Sequence, residues 1–506
     1  MAKADLHYLF NPRNICVIGA SSKRNKVGAQ VFSNLIAGKF EGTIYPINPT
    51  HDVLLERKAF KSVKEINEAL DLAIITIPAA NVPAAIEECV EENVQFAVII
   101  TAGFGEMGGY DPAGVSLHTE LMKILKKGTL RVVGPNCMGI VSTRAKLMGL
   151  MGLGFPPARR KVNASIISQS GTWGVRSLRA GAVSNLGFSK FVSSGNELDL
   201  KFEDYLEYFG LEDPDSQIIL GFIEGLRQGK RFIKLLAEIE KTLVFIKGGK
   251  TESGKLTAKS HTGSIAGSVK IYDAIFKQYG VIEARDMTEM VDYGRAFSLI
   301  YSSDNPKNVR GNRIGVFSGG GGACVLMADD AEEEGLVLAE LEPTTVQKLS
   351  TILPPYWSHR NPVDLVATWD FGSYSKVLKI LLEDQNVDVV VAMPPLGFSL
   401  MYESEDIQTY IRENPVSSIS VPADMIKSFD LSIVREIGRL SKKSEKLVVI
   451  PLGFYSPENP KEYELVRELH KRDVLVVPSP RAAMRIIRKL WEFSKRKEQK
   501  KIQRKK

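Results

Sequence analysis

The residues best suited to chemistry lie in a short hydroxyl-rich stretch, Thr257 to Ser268, with His261 near its centre. His261 is one of six histidines in 506 residues, and its neighbours are mostly Gly, Ser, Thr and Ala, which could not bury an imidazole. Backbone N–H groups and hydroxyls in such a loop can surround an anion, and an imidazole is a nucleophile near neutral pH. The stretch therefore favours transient phosphate chemistry, and the alternative is a solvent-exposed loop histidine.

A second candidate for the same chemistry is Glu224, which follows the almost wholly apolar run Ile218 to Ile223. A run of this length and composition predicts a buried strand, so the carboxylate should lie where that strand ends. An acid at such a point could orient an imidazole and support its charge once it is phosphorylated. The alternative is a surface carboxylate that caps the next helix.

Two turns after predicted strands offer further groups for an anion. The strand Ala164 to Ile167 runs into Ser168-Gln169-Ser170-Gly171-Thr172, and a strand around Lys190 to Val192 runs into Ser193-Ser194-Gly195-Asn196. Free N–H groups at a helix N-terminus, together with neighbouring hydroxyls, can bind a phosphate. A serine hydrolase is disfavoured, because the nucleophile motif G-x-S-x-G needs glycine where Ser168 stands.

A near match to the nucleotide-binding P-loop begins at Gly249 and continues through Gly254 and Lys255. That motif requires Ser or Thr at the next position to ligate Mg²⁺, and Leu256 stands there instead. We interpret the match as chance in a glycine-rich stretch.

The first 150 residues alternate short apolar runs with helical patterns, which predicts βαβ units and a parallel sheet. The first run, Ile15 to Ile18, ends at Gly19 in a glycine-containing turn, where such domains receive a phosphate. The second run ends in Tyr45-Pro46-Ile47-Asn48-Pro49, without the acid that would hold the ribose of NAD. A dinucleotide is therefore disfavoured, whereas Lys23 and Lys26 suit a polyphosphate.

Later turns in the same region also follow predicted strands. They read Ile77-Pro78-Ala79, Thr101-Ala102-Gly103 and Gly134-Pro135-Asn136-Cys137. Because the carboxyl ends of parallel strands meet at one edge of a sheet, these turns should converge where ligands of open α/β folds bind.

Composition and charge indicate an ordinary globular protein. No apolar stretch approaches the length of a membrane span, and four scattered cysteines without a C-x-x-C pair favour free thiols, so we expect a cytoplasmic protein with no metal site. The lysine-rich segment 495–506 alone carries a net charge of +7, which equals the net charge of the whole chain. We interpret that segment as a solvated, frayed terminus, and neither nucleic acid nor a membrane is an expected partner.

A third α/β unit follows a polar joint at 302–312. Its first strand, Arg313 to Phe317, ends in four successive glycines, which permit close approach of backbone or ligand. Further strands are predicted at Val387 to Met393, Leu447 to Ile450 and Val474 to Val477.

Taken together, these motifs resemble the alpha subunits of the ADP-forming acyl-CoA synthetases, relatives of succinyl-CoA synthetase, over nearly the whole chain. The most specific ones are Ser260-His261-Thr262-Gly263-Ser264, Gly134-Pro135-Asn136-Cys137, Ser168-Gln169-Ser170-Gly171 and Asn361-Pro362-Val363-Asp364. Several unrelated motifs in family order are hard to obtain by chance.

The resemblance implies an α/β fold of three domains. A Rossmann-like CoA-binding domain, 1–150, would be followed by two flavodoxin-like domains with doubly wound parallel sheets. The second domain, 151–305, would carry the histidine loop, the third would span 306–494, and the basic tail 495–506 lies outside the resemblance.

The resemblance also implies roles for individual residues. His261 would become phosphorylated and Glu224 would be the acid that holds it. Phosphate would be bound by Ser170, Gly171, Ser194, Gly195, Asn196, Thr262 and Gly263. CoA would be bound by Gly19, Ser21, Lys26, Pro46, Asn48, Ile77, Pro78, Asn136 and Cys137.

The implied reaction is reversible. Phosphate attacks an acyl-CoA to give an acyl phosphate, His261 takes the phosphoryl group, and ADP accepts it to become ATP. No stretch of this chain reads as the family's ATP-grasp module, so a separate beta subunit that binds ADP or ATP with Mg²⁺ is implied, in an alpha2beta2 heterotetramer.

Near the implied phosphate and acyl site, the chain departs from the family's usual pattern at Trp173 and at Ser194, Glu197 and Leu198. The identity of the acid is therefore open. The alternative to an enzyme is a CoA-binding regulatory or scaffold protein that keeps the fold without turnover.

Overall fold

The structure of the chain is a computed structural model, which describes residues 5–106, 111–152, 154, 160, 162–254, 268–301, 305–366, 371–397, 399, 402–414, 423–452 and 460–505. The chain divides into two compact units. The first comprises residues 1–182 and 186–294, and the second comprises 183–185 and 295–506.

The first sheet of the first unit is wholly parallel and buried on both faces. Ile15 and Val17 belong to one hydrophobic cluster, and Cys16 and Ile18 belong to another, which explains why this strand reads as a continuous apolar run. The sheet contains β1 (Asn14–Ile18), β2 (Thr43–Ile47), β5 (Leu72–Ile75), β6 (Phe96–Ile99) and β7 (Arg131–Val133), in the order β2-β1-β5-β6-β7, with a separate small hairpin of β3 (Val53–Leu54) and β4 (Arg57–Lys58). The helices of this region are α1 (His7–Phe10), α2 (Val27–Ala37), α3 (Val82–Glu91) and α4 (Pro112–Leu125).

The second sheet repeats this strand order. Its parallel strands are β10 (Asn163–Ser168), β11 (Gly187–Ser193), β12 (Ile218–Ile223), β13 (Thr242–Lys247) and β14 (Ile282–Glu283), in the order β14-β13-β12-β10-β11. The helices are α5 (Gly171–Val183), α6 (Phe202–Glu207), α7 (Gly229–Glu238), α8 (Val269–Tyr279) and α9 (Met287–Ile300), and α6 continues into a π-helical turn, Tyr208–Glu212. In each sheet the strand order reverses beside the first strand, which is where open α/β sheets bind ligands.

A hairpin extends the second sheet where none was predicted. Its strands are β8 (Gly139–Ser142) and β9 (Leu147–Leu150), and β8 pairs antiparallel with β11. From the sequence these residues fall within the first domain, 1–150, but their hydrogen bonds join the second sheet. A short antiparallel hairpin has no crossover helix, so no local pattern ties it to the first sheet.

The two sheets of the first unit are joined where β7 and β11 end. The backbone N–H of Asn196 donates to the carbonyl of Pro135 at 2.9 Å, and that of Leu198 donates to Gly134 at 3.0 Å. The Arg131 guanidinium also donates to the Asp199 carboxylate at 2.8 Å. The carboxyl ends of the two sheets are therefore held side by side.

The second unit contains one parallel sheet with the same reversal of order. Its strands are β15 (Arg313–Ser318), β16 (Val337–Leu338), β17 (Val363–Asp364), β18 (Val389–Met393), β19 (Leu447–Pro451) and β20 (Leu475–Val477), in the order β16-β15-β18-β19-β20 with β17 beside β15. The helices are α10 (Gly321–Glu333), α11 (Pro343–Ser350), α12 (Phe371–Glu383), α13 (Glu405–Glu413), α14 (Ala423–Lys443), α15 (Pro460–His470) and α16 (Pro480–Lys505). The α/β class and the three sheets predicted from sequence are confirmed, and the second sheet is parallel apart from its antiparallel hairpin.

The interpretation of the basic segment as a frayed terminus is wrong. Helix α16 continues through it as far as Lys505. After its first residue the helix contains neither proline nor glycine, and the Arg488 guanidinium donates to the Glu492 carboxylate four residues later at 2.9 Å, which supports a long helix.

Two expectations from composition concern cysteine chemistry and membranes. All four cysteines are free and buried. Among the described residues, no helix combines the length and the apolar composition that a membrane span requires.

A buried ion pair lies away from the carboxyl ends of the second sheet. Lys190 of β11 is 1% exposed, and its Nζ donates to the Asp213 carboxylate at 2.7 Å. Asp213 also accepts a hydrogen bond from the Ser216 hydroxyl. Removing one partner of such a pair leaves an uncompensated charge in the core.

We expect Asp213→Ala to lower the free energy of unfolding of the first unit by about 3 kcal/mol or more, because the Lys190 ammonium would stay buried without its main partner. The matched control is Glu87→Ala, which breaks an exposed, solvent-screened pair with Lys127 and should lower the stability far less. Calorimetric unfolding of both variants measures the difference. Equal losses would contradict this account of the pair.

Candidate functional site

A cleft of about 810 Å³ opens at the carboxyl ends of both sheets of the first unit. Its walls include the turns that follow seven strands, which are β1, β2, β5, β6, β7, β10 and β11. The cleft thus lies where the strand order reverses in the first sheet and where the two sheets meet.

Eight of the nine residues predicted to bind CoA line this cleft, which brings together turns that are distant in sequence. They are Gly19, Ser21, Lys26, Asn48, Ile77, Pro78, Asn136 and Cys137. The ninth, Pro46, does not line it. Pro46 lies inside β2 opposite Val17, and its carbonyl accepts the backbone N–H of Phe60 at 2.9 Å.

The turn between β1 and α2 brings a helix N-terminus unusually close to a strand. A Cβ atom on Gly28 would lie 1.9 Å from the carbonyl oxygen of Gly19, so only glycine fits there. Lys26 is the residue before the first turn of α2, and no side chain caps that end of the helix. The N–H groups of α2 and the Lys26 ammonium are available to an anion in the cleft.

Asn48 organises the opposite rim. Its Nδ2 donates to the Ala20 carbonyl at 2.8 Å, and its Oδ1 accepts the backbone N–H groups of Thr50 and His51. An amide can both donate and accept hydrogen bonds, whereas the carboxylate typical of an NAD site could only accept them. This geometry agrees with the rejection of a dinucleotide.

Four of the residues predicted to bind phosphate also line the cleft. Ser170 and Gly171 lie at the start of α5, and Gly195 and Asn196 follow β11. Ser194 does not line it, because its side chain is fully buried and its Oγ donates to Glu197 Oε1 at 2.9 Å. The cleft therefore receives two helix N-termini, those of α2 and α5.

Gln169 is the residue that sequence reasoning passed over. It lines the cleft, and its Oε1 accepts the backbone N–H groups of Glu224 at 2.6 Å and Gly225 at 3.0 Å. Its Nε2 donates to the Gly225 carbonyl at 2.7 Å and to Glu197 Oε1 at 2.9 Å. The only available signal was its place in the turn Ser168-Gln169-Ser170-Gly171.

Glu224 lies at the end of β12 and is 8% exposed. The helix that follows begins at Gly229 with Gln228 as its N-cap residue, so Glu224 is not a cap for that helix. The loop that carries it is held by Lys247 Nζ, which donates to the Glu224 carbonyl at 2.8 Å. Burial lowers the pKa of Lys247 to about 8, and the negative charge of Glu224 opposes that shift.

Glu197 supports this arrangement from below the surface of the cleft. Its Oε1 accepts hydrogen bonds from Gln169, from Ser194 and from the backbone N–H of Phe202. Burial raises the pKa of Glu197 to about 7, the nearby Glu203 carboxylate adds to the shift, and the hydrogen bonds from Gln169 and Ser194 oppose it.

Three of the predicted residues, His261, Thr262 and Gly263, lie outside the described residues. Their roles therefore stay predictions. The described chain approaches them through β13, which ends at Lys247, and leaves them through α8, which begins at Val269.

Three protein-family models match the chain in succession. A CoA binding domain matches residues 13–143, a succinyl-CoA ligase like flavodoxin domain matches 161–297, and a Ligase-CoA domain matches 314–399. The order of the three matches follows the order of the three sheets.

Proteins of known activity are similar over most of the chain. The alpha subunit of acetate–CoA ligase [ADP-forming] II from Pyrococcus furiosus is 43% identical, over 77% of this chain and 82% of that protein. Acetate–CoA ligase [ADP-forming] from Methanocaldococcus jannaschii is 41% identical over 72% of this chain, which spans only 49% of that longer protein.

A solved structure is similar over nearly the full length. It is the dinucleotide forming acetyl-coenzyme A synthetase 1 of Ca. Korarchaeum cryptofilum in complex with phosphate and ADP. The two chains superpose with a TM-score of 0.79 at 30% identity, covering 97% of each.

We expect the stability of the wild-type chain to fall relative to Glu197→Gln as the pH rises from 5 to 8. The folded-state pKa near 7 lies above the ordinary 4.5, so between these two pH values the folded state keeps a proton that the unfolded state has lost. The difference in free energy of unfolding should change by on the order of 2 kcal/mol. Denaturant unfolding across this range measures it, and a constant difference would refute the shifted pKa.

Proposed function

Because the chain belongs to the family of ADP-forming acyl-CoA ligase alpha subunits, we propose that it uses CoA in the cleft of its first unit and relays phosphate through His261. The chain is the alpha subunit of an acid:CoA ligase, which converts an acyl-CoA, phosphate and ADP reversibly into the acid, CoA and ATP. The observation that carries the proposal is the convergence of eight predicted CoA-binding residues and four predicted phosphate-binding residues on one cleft.

The cleft has the charge and shape that a CoA molecule needs. Lys23 and Lys26 and the N-terminus of α2 line the end next to β1, where they can bind the negatively charged phosphates of CoA. The apolar side chains of Ile77 and Met138 line the wall beyond them. CoA lying along this wall would present its thioester to the turns at Ser170 and Asn196.

Phosphate is proposed to bind at those turns, next to the thioester. The N–H groups at the start of α5 and the side chains of Ser170 and Asn196 can hold its oxygens. A phosphate oxygen attacks the thioester carbonyl, the carbon–sulfur bond breaks, and CoA leaves as a thiolate that takes a proton. The product at this point is an acyl phosphate.

His261 is proposed to take the phosphoryl group in the next step. A ring nitrogen attacks phosphorus, the bond between phosphorus and the acyl oxygen breaks, and the acid leaves as a carboxylate. Glu224 would hold the imidazole and stabilise its positive character. ADP then accepts the phosphoryl group from the phosphohistidine, and an Mg²⁺ ion held with the nucleotide on the partner subunit would supply charge neutralisation for that transfer.

A partner subunit is proposed to supply the nucleotide site. The Pyrococcus relative is named as an alpha subunit, and the Methanocaldococcus relative, which has no subunit designation, is about one and a half times as long. We propose that the missing length corresponds to an ATP-grasp module, which here would be a separate beta subunit, in an alpha2beta2 heterotetramer.

The proposal is tested by phosphate incorporation. The purified chain is incubated with radiolabelled phosphate, Mg²⁺ and a panel of acyl-CoAs that includes acetyl-CoA, and acid-labile, base-stable label is measured. We expect label on the wild-type chain and none on His261→Ala. Absence of label, even after addition of an ATP-grasp subunit with ATP, would leave a CoA-binding scaffold instead.

We expect Gly28→Ala to weaken CoA binding about tenfold or more, a loss of about 1.4 kcal/mol, because the added Cβ must push α2 away from Gly19. The matched control is Gly229→Ala, where an added Cβ meets nothing within 4 Å. Isothermal titration calorimetry of each variant with CoA measures affinity, and circular dichroism verifies folding. Unchanged affinity in folded Gly28→Ala would place CoA elsewhere.

A further inference from the structure

A continuous set of hydrogen bonds leads from the surface of the cleft to the loop that carries Glu224. Gln169 lines the cleft and uses one side-chain oxygen to hold the backbone N–H groups of Glu224 and Gly225. Because β10 and β12 are adjacent in the sheet, this single amide spans the two strand ends. Gln169 therefore holds the amide side of the Glu224 loop towards the cleft, while Lys247 holds the Glu224 carbonyl.

The orientation of the Gln169 amide is fully determined. A glutamine side chain has two N–H donors and one oxygen with two lone pairs, and all four are used here. Rotating the amide by 180° would set its N–H groups against those of Glu224 and Gly225. Glu197 contributes the acceptor that completes the set.

Glu197 is itself held in one place. Its Oε1 accepts from Ser194 Oγ at 2.9 Å and from the Phe202 N–H at 3.1 Å, in addition to Gln169. Its backbone φ is +55°, a conformation that few non-glycine residues adopt. The side chain is 5% exposed and does not line the cleft, so it has no direct access to a ligand there.

We infer that Gln169 and Glu197 are a pair of positioning residues, which set the place of Glu224 and thereby the rate at which the phosphohistidine forms. This inference rests on the proposed function. Neither residue exchanges a proton or forms a bond with the substrate in this role. Glu197 orients Gln169, and Gln169 holds the loop of Glu224.

The expected effect is on rate rather than on CoA affinity. A displacement of about 1 Å at a reacting group can cost about 100-fold in rate. We expect Gln169→Ala to slow labelling of His261 by about 10- to 100-fold. The turn that holds the other end of CoA, at Gly19 and Gly28, is not touched by this change.

The matched control is Gln217→Ala. Gln217 precedes β12 at the opposite edge of the same sheet, and its Oε1 also accepts a backbone N–H, that of Asn163, at 2.9 Å. This variant removes the same kind of side chain and the same kind of hydrogen bond away from the cleft. We expect it to label at the wild-type rate.

A double variant distinguishes an action through Glu224 from an independent one. If Gln169 acts by placing the Glu224 carboxylate, then Gln169→Ala added to Glu224→Gln should slow labelling no further than Glu224→Gln alone. If the double variant instead slows labelling by the product of the two single effects, the inference is overturned, because Gln169 then acts on the reaction independently of Glu224.

Glu197 is tested by comparing two substitutions. Glu197→Ala removes the acceptor and should slow labelling about tenfold, with the dissociation constant for CoA within about threefold of the wild type. Glu197→Gln keeps an acceptor oxygen at the same place and should restore most of that rate. Equal losses in both variants would overturn the role assigned to this side chain.

The outcomes separate this inference from the proposed function. If the wild-type chain takes up no label, the proposed function fails and the inference fails with it. If the wild type is labelled through His261 and Gln169→Ala is labelled at the same rate, only the inference is overturned. Circular dichroism of each variant verifies that a slow rate does not come from unfolding.

Discussion

The cleft depends on one constraint, the pairing of the two strand ends that leave β7 and β11. The N–H groups of Asn196 and Leu198 bond to the carbonyls of Pro135 and Gly134, and a Cβ atom on Gly195 would lie 2.2 Å from the Pro135 oxygen. The backbones are thus as close as glycine allows. Without this contact the two sheets would each present half of a site.

The positive potential in the cleft follows from the pairing of these two strand ends. Two helices, α2 and α5, begin at the same cleft, one from each sheet. Each helix N-terminus has the effect of a partial positive charge, and a ligand with phosphates at one end and a reacting thioester at the other can use both. The loop of Glu224 is held next to this cleft through Gln169.

Much of this could be predicted from sequence because parallel strands buried on both faces read as apolar runs. The strands at Ile15 to Ile18 and Ile218 to Ile223 are examples, and the turn after the first of them lines the cleft. The site residues were assigned by resemblance, and those assignments remain predictions until tested. Pro46 is the exception among the CoA residues, because it lies inside strand β2 and not in the turn that lines the cleft.

Other features could not be predicted, for physical reasons. The hairpin of β8 and β9 pairs with a strand about fifty residues away, and no local pattern specifies a non-local antiparallel partner. The hydrogen bonds of Gln169 depend on which strands are neighbours in the sheet, and the composition of the chain does not reveal that order. The charge of segment 495–505 is as typical of a solvated tail as of a helix, so charge by itself did not predict the helix that continues through it.

The most direct test of the account is a crystal structure of the chain with CoA and inorganic phosphate. We expect the phosphates of CoA next to Gly19 and Lys26, its sulfur directed towards Ser170 and Asn196, and the inorganic phosphate at the start of α5. CoA bound outside this cleft, or phosphate bound away from α5, would contradict the claim that one cleft unites both sites.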